Sequence, residues 1–287
     1  AGKLALTKAG GGTLTLSGTS LYTGATTVNA GTLRSGANDV LPNASNVTVS
    51  GNAAGVTATL DLNDFSDTIG TLSFGGSTAT SGAAVTTGAG TLTLGGNVAY
   101  NATNNPLGAT ISGNLSLGSS LATLNRTFTV NDSASAVNDL TVLAGISGSG
   151  VGLIKAGTGT LALSGTNTYT GATAVNAGTL SFAKRASLYN DVQTNWTPTY
   201  IAVESAAILA VGVGDLPTYF DTTALDTLLD GTHMGLSTTT TGLKTGAILG
   251  LDTTNATGGT FTRSTALANL NVTNLLNLAK VGTGELV

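Results

Sequence analysis

Asp61, Asp64 and Asp67 stand three residues apart in the stretch LDLNDFSD, and Asp215, Asp221, Asp226 and Asp230 follow along a later segment. Carboxylates so spaced supply hard oxygen ligands of the kind that hold Ca²⁺. The spacing matches neither an EF-hand loop nor the glycine-aspartate nonapeptide of calcium-binding β-rolls, so solvated turn aspartates are the favoured reading. His233, the sole histidine, lies in DGTHMG, where a Ser-His-Asp arrangement would have to be assembled on one turn. A surface or packing role is simpler. Trp196 and Tyr200 flank Pro198 and could form a face for stacking a sugar, against which packing in a core or cap is favoured. The chain has no G-x-S-x-G elbow, no phosphate-binding G-x-x-x-x-G-K-[ST] loop and no G-x-G-x-x-G. Catalytic, cofactor-binding and metal sites are therefore assigned to no residue, no cofactor is expected, and the protein is expected not to be an enzyme.

The elements that would have to position such groups announce themselves as a repeat. Residues 8–33 read KAGGGTLTLSGTSLYTGATTVNAGTL and residues 155–180 read KAGTGTLALSGTNTYTGATAVNAGTL, a constant offset of 147 with no gap. They differ at five positions: Gly11, Thr15, Ser20, Leu21 and Thr27 against Thr158, Ala162, Asn167, Thr168 and Ala174. A third copy opens at Lys280 as KVGTGELV and breaks off in mid-motif. Self-similarity at a fixed period is the mark of solenoids and arrays, in which each unit stacks on its neighbour. The expectation is a window of a longer repetitive protein, with further repeats of the same chain, or head-to-tail copies of it, as its partners.

Within the unit, Thr160, Leu161, Ala162, Leu163 and Ser164 alternate with period two, which puts Leu161 and Leu163 on one face of a strand. Gly157, Gly159 and Gly165 bracket it, so the strand is short and bounded by corners. The same logic sets Leu14, Leu16, Val28 and Leu33, with Leu161, Leu163, Val175 and Leu180, facing inward. Asn29 and Asn176, of VNAGTL, are expected at an inward corner, hydrogen-bonding the backbone of neighbouring rungs.

These residues carry a resemblance. The run GTGTLALSGTNTYTGATAVNAGTL from Gly157, and its counterpart from Gly10 with Ser20-Leu21 in place of Asn-Thr, resemble the autotransporter-associated β-strand repeat. The resemblance implies a right-handed parallel β-helix in the passenger region of a very large secreted bacterial surface protein. The outer-membrane β-barrel that usually accompanies such passengers has no counterpart in this sequence.

Composition agrees. Charged residues make up 8 % and hydrophobic ones 41 %, with 41 glycines and no cysteine. A disordered chain would be richer in charge and poorer in apolar residues. The lack of cysteine removes disulfides and thiolate metal sites, which fits a secreted bacterial protein. With a net charge of −4 and no cationic cluster beyond Lys184-Arg185, nucleic acid is not an expected partner. No run of 18 apolar residues occurs, so no membrane-spanning helix is expected in this sequence.

In chain order, residues 1–182 read as β-solenoid rungs, with strands around 47–50, 58–62, 69–74, 90–97, 109–117, 127–130 and 140–143. Rungs of about 20 to 25 residues would put six or seven in each 147-residue period. Residues 183–276 hold the only His, Trp and Met and read as a variant or inserted section continuous with the solenoid. Its helix candidate is 223–229, with Thr222 or Thr223 as N-cap and Gly231 as the stop. Residues 277–287 begin a further repeat. The fold class is thus all-β, a right-handed parallel β-helix (β-solenoid) with a small helix-containing insertion. Two functions fit it: a structural rod or fibre at the bacterial cell surface or in the biofilm matrix, or an adhesin whose 183–276 section takes a glycan or a protein of a cell surface as partner.

Overall fold

The computed structural model describes residues 3–51, 56–75, 82–104, 107–267 and 276–287. Short alternating strands broken at glycine corners wind into a parallel β-solenoid, the fold expected from the repeat. Twenty strands form one continuous sheet. Its axis is easily followed along one face. Thr13 pairs with Thr32, then in turn come Thr59, Ala84, Thr110, Thr141, Ala162, Ser181, Ala210, Gly250 and Ala279, every pairing parallel. Eleven rungs at the ordinary interstrand spacing stack to about 48 Å. The step between rungs runs from 19 residues, Thr13 to Thr32, up to 40, Ala210 to Gly250. The expected 20 to 25 lies at the short end of that range, because the sheet fixes the strands while the corners accept any length of loop.

A second face runs parallel to it through Leu6–Lys8, Thr26–Val28, Val47–Val49, Leu72–Phe74, Val98–Tyr100 and onward to Thr173–Val175 and Ile201–Val203. In the middle of the molecule a third face appears, from Asp67–Ile69 to the strands Ala83–Leu94, Ala109–Val130 and Gly145–Ala156. The 22-residue strand Ala109–Val130 was expected as two pieces, 109–117 and 127–130. It remains one ribbon because Gly113 and Gly118 take φ of +95° and +87°, which turns the chain at a corner while most of the ladder stays paired.

The interior is a set of stacked apolar ladders. Leu33, Leu60, Val85, Ile111, Val142, Leu163, Phe182, Val211 and Leu251 follow one another in register, and all are buried. Burying each such side chain contributes about 1.5–3 kcal/mol. Of the residues expected to face inward, Val28, Leu33, Leu161, Leu163, Val175 and Leu180 are buried. Leu16 is partly buried against the core and Leu14 is 37 % exposed. Leu14 has the inward phase, since it pairs with buried Leu33, but it lies on the first rung and has a neighbour on one side only.

The register continues across residue 182. Thr179–Phe182 pairs with Ile208–Gly212, which pairs with Ile248–Asp252 and then with Asn277–Val281. Single 3₁₀ turns occupy Arg185–Ser187 and Tyr189–Asp191. The helix α1 is Thr222–Leu229, seated in the 40-residue step. Its N-cap is Asp221, whose carboxylate accepts from the Ala224 N–H at 2.7 Å, and not Thr222 or Thr223; its C-cap is Asp230, one residue before the expected Gly231. An ionised carboxylate is the stronger acceptor for the free N–H groups of a first turn. Residues 268–275 of the 183–276 section lie outside the described residues.

Candidate functional site

Of the aspartates that could have held a cation, all but Asp215 are committed elsewhere. Asp61 pairs with Arg34 at 2.8 Å and accepts from the Thr86 hydroxyl. Asp64 accepts the Ala89 N–H at 2.7 Å. Asp67 is buried, and one of its oxygens accepts from the Val40 and Leu41 N–H groups at 3.1 and 2.9 Å. Desolvation raises its pKa to about 6, only partly countered by those backbone donors, and its Oδ1 is buried without a partner among the described residues. Asp221 caps α1, Asp226 pairs with Arg263 and Asp230 binds His233 Nδ1 at 2.8 Å, while Asp215 is exposed in a turn. Among the described residues no three His, Cys, Asp or Glu converge. Trp196 is fully buried, donates from its indole to the Leu188 carbonyl and packs on Phe220 with ring centroids 5.3 Å apart. It offers no face to a sugar.

The side chains that the fold does bring together belong to the repeat. Lys8 and Lys155 occupy inward positions of the second face, in register with Val28 and Val175 respectively. Each ammonium closes a corner. Lys155 Nζ donates to the carbonyls of Ala156, Gly157 and Ala177 at 2.9, 2.7 and 3.0 Å, and Lys8 Nζ to those of Ala9, Gly10 and Ala30 at 3.0, 2.6 and 2.9 Å. In both, two acceptors lie on the lysine's own corner and the third on the next rung, 22 residues on. Burial pulls the Lys155 ammonium down to about 8, and the charge of Asp139 pulls it back up. Asp139 is itself held by the N–H groups of Ser133 and Thr160, both at 2.7 Å.

A second polar residue sits in the core beside each lysine. Thr173 is fully buried, its hydroxyl between those of Tyr169 at 2.7 Å and Tyr189 at 2.9 Å. In the first copy Thr26 lies between Tyr22 at 2.6 Å and Ser45 at 2.9 Å. Again one partner is local and the other comes from the following rung. Desolvation raises the pKa of Tyr169 and of Tyr189, so both stay neutral hydroxyl groups.

The corner glycine completes the device. Gly178 has φ of +65°, and a Cβ there would lie 2.5 Å from the carbonyl oxygens of both Gly157 and Gly159; Gly31 repeats this at +66° against Gly12 and Gly10, at 2.4 and 2.6 Å. Backbone approaches backbone so closely that no other residue fits.

Asn176 does not fill an inward corner: it is exposed, and Asn29, half-buried, accepts from the Ser50 hydroxyl at 2.8 Å. The buried amide of this kind is Asn167, which accepts from the Ile146 N–H at 3.0 Å and donates to the Ser187 carbonyl at 2.7 Å, tying three rungs together. The missed lysines had a signal in the sequence: all three copies open on a lysine, Lys8, Lys155 and Lys280, and in residues 8–33 and 155–180 it is the only charged residue.

Residues 6–34 and 153–182 match the model of the passenger-associated-transport-repeat, a family whose model thus takes in both copies whole. No curated protein and no solved structure matches the chain. The two segments are therefore repeats of the autotransporter-passenger type, and each supplies strands to two adjacent, mutually paired rungs of a parallel solenoid.

Proposed function

We propose that the chain is a non-enzymatic, load-carrying section of a large exported bacterial protein, a rod at the cell surface or in the extracellular matrix. It is lengthened by further coils of the same polypeptide or by copies joined head to tail. One observation supports this above others: the polar residues that the repeat keeps at core positions, lysine and threonine, each take one partner from the following rung. Such residues join units together, and stability then accumulates along the axis as a sum of nearest-neighbour terms. The open edges of a terminal rung favour addition of another coil, since unpaired strand N–H and C=O groups are a template for pairing.

The test is a length measurement. A second copy of residues 8–154 inserted in frame adds about six rungs, so the particle should lengthen by on the order of 29 Å at unchanged cross-section in X-ray scattering or force microscopy. Growth in all three dimensions would overturn the proposal. An epitope placed at the exposed Gly231 turn, read with antibody on intact cells, tests the surface location.

A further inference from the structure

The outer surface of the long face changes character at the second repeat. In the first copy its outward residues include Thr15, in register with Arg34, which pairs with Asp61. The equivalents 147 residues on are Ala162 and Ser181, followed in register by Ala210. Arginine, threonine and aspartate have been replaced by alanine and serine, which opens a cleft of about 470 Å³. The floor runs Thr141, Ala162, Ser181, Ala210, three rung steps or about 14 Å. One rim is Val137 and Asn138; the other is formed by residues 252–255 and 281–283. Ser181 is 6 % exposed, its neighbours Leu180 and Phe182 point into the core, and its hydroxyl lines the cleft with no hydrogen-bond partner among the described residues. A hydroxyl at the floor of a cleft, free of protein partners, is available to a ligand oxygen.

We infer that this cleft binds a neutral oligosaccharide in extended form, with the Ser181 hydroxyl as its central hydrogen-bonding group. The lining selects for that class by chemistry. No lysine or arginine lines it, and Asp252 does, which disfavours phosphate, sulfate and uronate groups. No aromatic, leucine or isoleucine lines it: its apolar surface comes from small groups, the alanines, two valines and threonine methyls, which offer no large side chain to anchor an apolar ligand. The floor is a sheet face whose backbone groups already pair between rungs, so a peptide strand cannot add to it. What remains is a row of hydroxyl and amide groups, Thr160, Thr179, Ser181, Thr254 and Asn255 among them, with small side chains that let a flat ring approach. The volume lies within the range of small-molecule sites, about 300–1,000 Å³. This site lies on the solenoid wall and does not depend on whether copies of the chain join end to end.

The experiment uses residues 1–287 and isothermal titration calorimetry with four neutral tetrasaccharides: cellotetraose, maltotetraose, xylotetraose and chitotetraose. At least one should bind. Ser181→Ala, which removes only the hydroxyl, should weaken that binding about threefold to tenfold. Ala162→Leu, which fills the floor, should abolish it, with circular dichroism confirming the fold. Thr48→Leu, at an outward position of the other long face, should leave it unchanged. The proposal fails if none of the four binds at millimolar concentration, if Ser181→Ala binds as the parent does, or if Thr48→Leu weakens binding as much as Ser181→Ala.

Discussion

The two repeat copies are one sequence in two settings. In the copy at 155–180 the strand Thr160–Leu163 lies between rungs on both sides, and Leu161 and Leu163 are fully buried. In the copy at 8–33 the strand Thr13–Leu16 pairs on one side only, and its residues are exposed apart from half-buried Leu16. Lys makes the same three contacts in both, and Thr keeps a hydroxyl partner on the following rung, Ser45 in one and Tyr189 in the other, because both copies have that rung. Burial in this fold is thus a property of neighbours, and polar locking is a property of the repeat itself. The five sequence differences act on top of this: Thr15 to Ala162 helps open the outer cleft, and Ser20 to Asn167 supplies a buried amide bridge.

Substitutions can break or sharpen this contrast, and native-state hydrogen exchange resolves them rung by rung where a single global transition would average them. The largest effect is expected from Leu163→Ala, about 2–5 kcal/mol against about 1 kcal/mol for the matching Leu16→Ala. Equal costs would show that neighbours do not set burial. Gly178→Ala forces a side chain into the left-handed region and onto two carbonyl oxygens, at a cost of at least about 2 kcal/mol. Gly31→Ala meets the same contacts, but the rung it presses against, that of Thr13–Leu16, pairs on one side only and can shift, so its loss of protection should be smaller. Lys155→Met leaves three carbonyls without their donor while sparing the burial of an ammonium, and a net loss of about 1–3 kcal/mol is expected, centred on the 153–182 rungs.

The smallest effect has the opposite sign. Asp67 and Asp139 are both buried, but Asp139 has donors on both oxygens and Lys155 nearby, whereas Asp67 leaves Oδ1 without a partner among the described residues. Burial raises the Asp67 pKa from 3.8 to about 6, so between those values the folded chain holds a proton that the unfolded chain has released. Its contribution to stability is full below pH 3.8 and lost as pH rises through about 6. Asp67→Asn keeps an acceptor for Val40 and Leu41 and removes the charge. It should stabilise the chain at neutral pH by on the order of 1–2 kcal/mol and flatten the pH profile of unfolding in that window. Loss of stability at neutral pH would show that the carboxylate charge is needed.

Much of this was legible in the residues. The alternation around Leu161 and Leu163 set strand phase, and the glycines set corners, because a period of two and a positive φ are local properties of the chain. The acceptors of Lys155 were not legible: backbone carbonyls are present at every position and leave no mark in sequence. Asn176 misled for a related reason, since a polar residue beside a corner glycine reads the same whether it turns in or out. The inserted step from Ala210 to Gly250 hid its own rung, because 40 residues carry no period to reveal which strands pair. The cleft was invisible for the same cause, as Thr141, Ala162, Ser181 and Ala210 become neighbours only through steps of unequal length.

The lysine of each copy also gives the solenoid a covalent readout. Lys155 is wholly enclosed by its corner and the rung that follows, while Lys280, at the same place in the third copy, is exposed and holds only the Gly282 carbonyl. An amine-reactive acylating reagent should modify Lys280 readily and Lys155 only after the rungs separate, because the burial that lowers its pKa also bars the reagent. When a further coil settles over Lys280, that amine should fall silent in its turn. Peptide mapping after a brief labelling pulse would then reveal, lysine by lysine, how far along the axis the stack is closed.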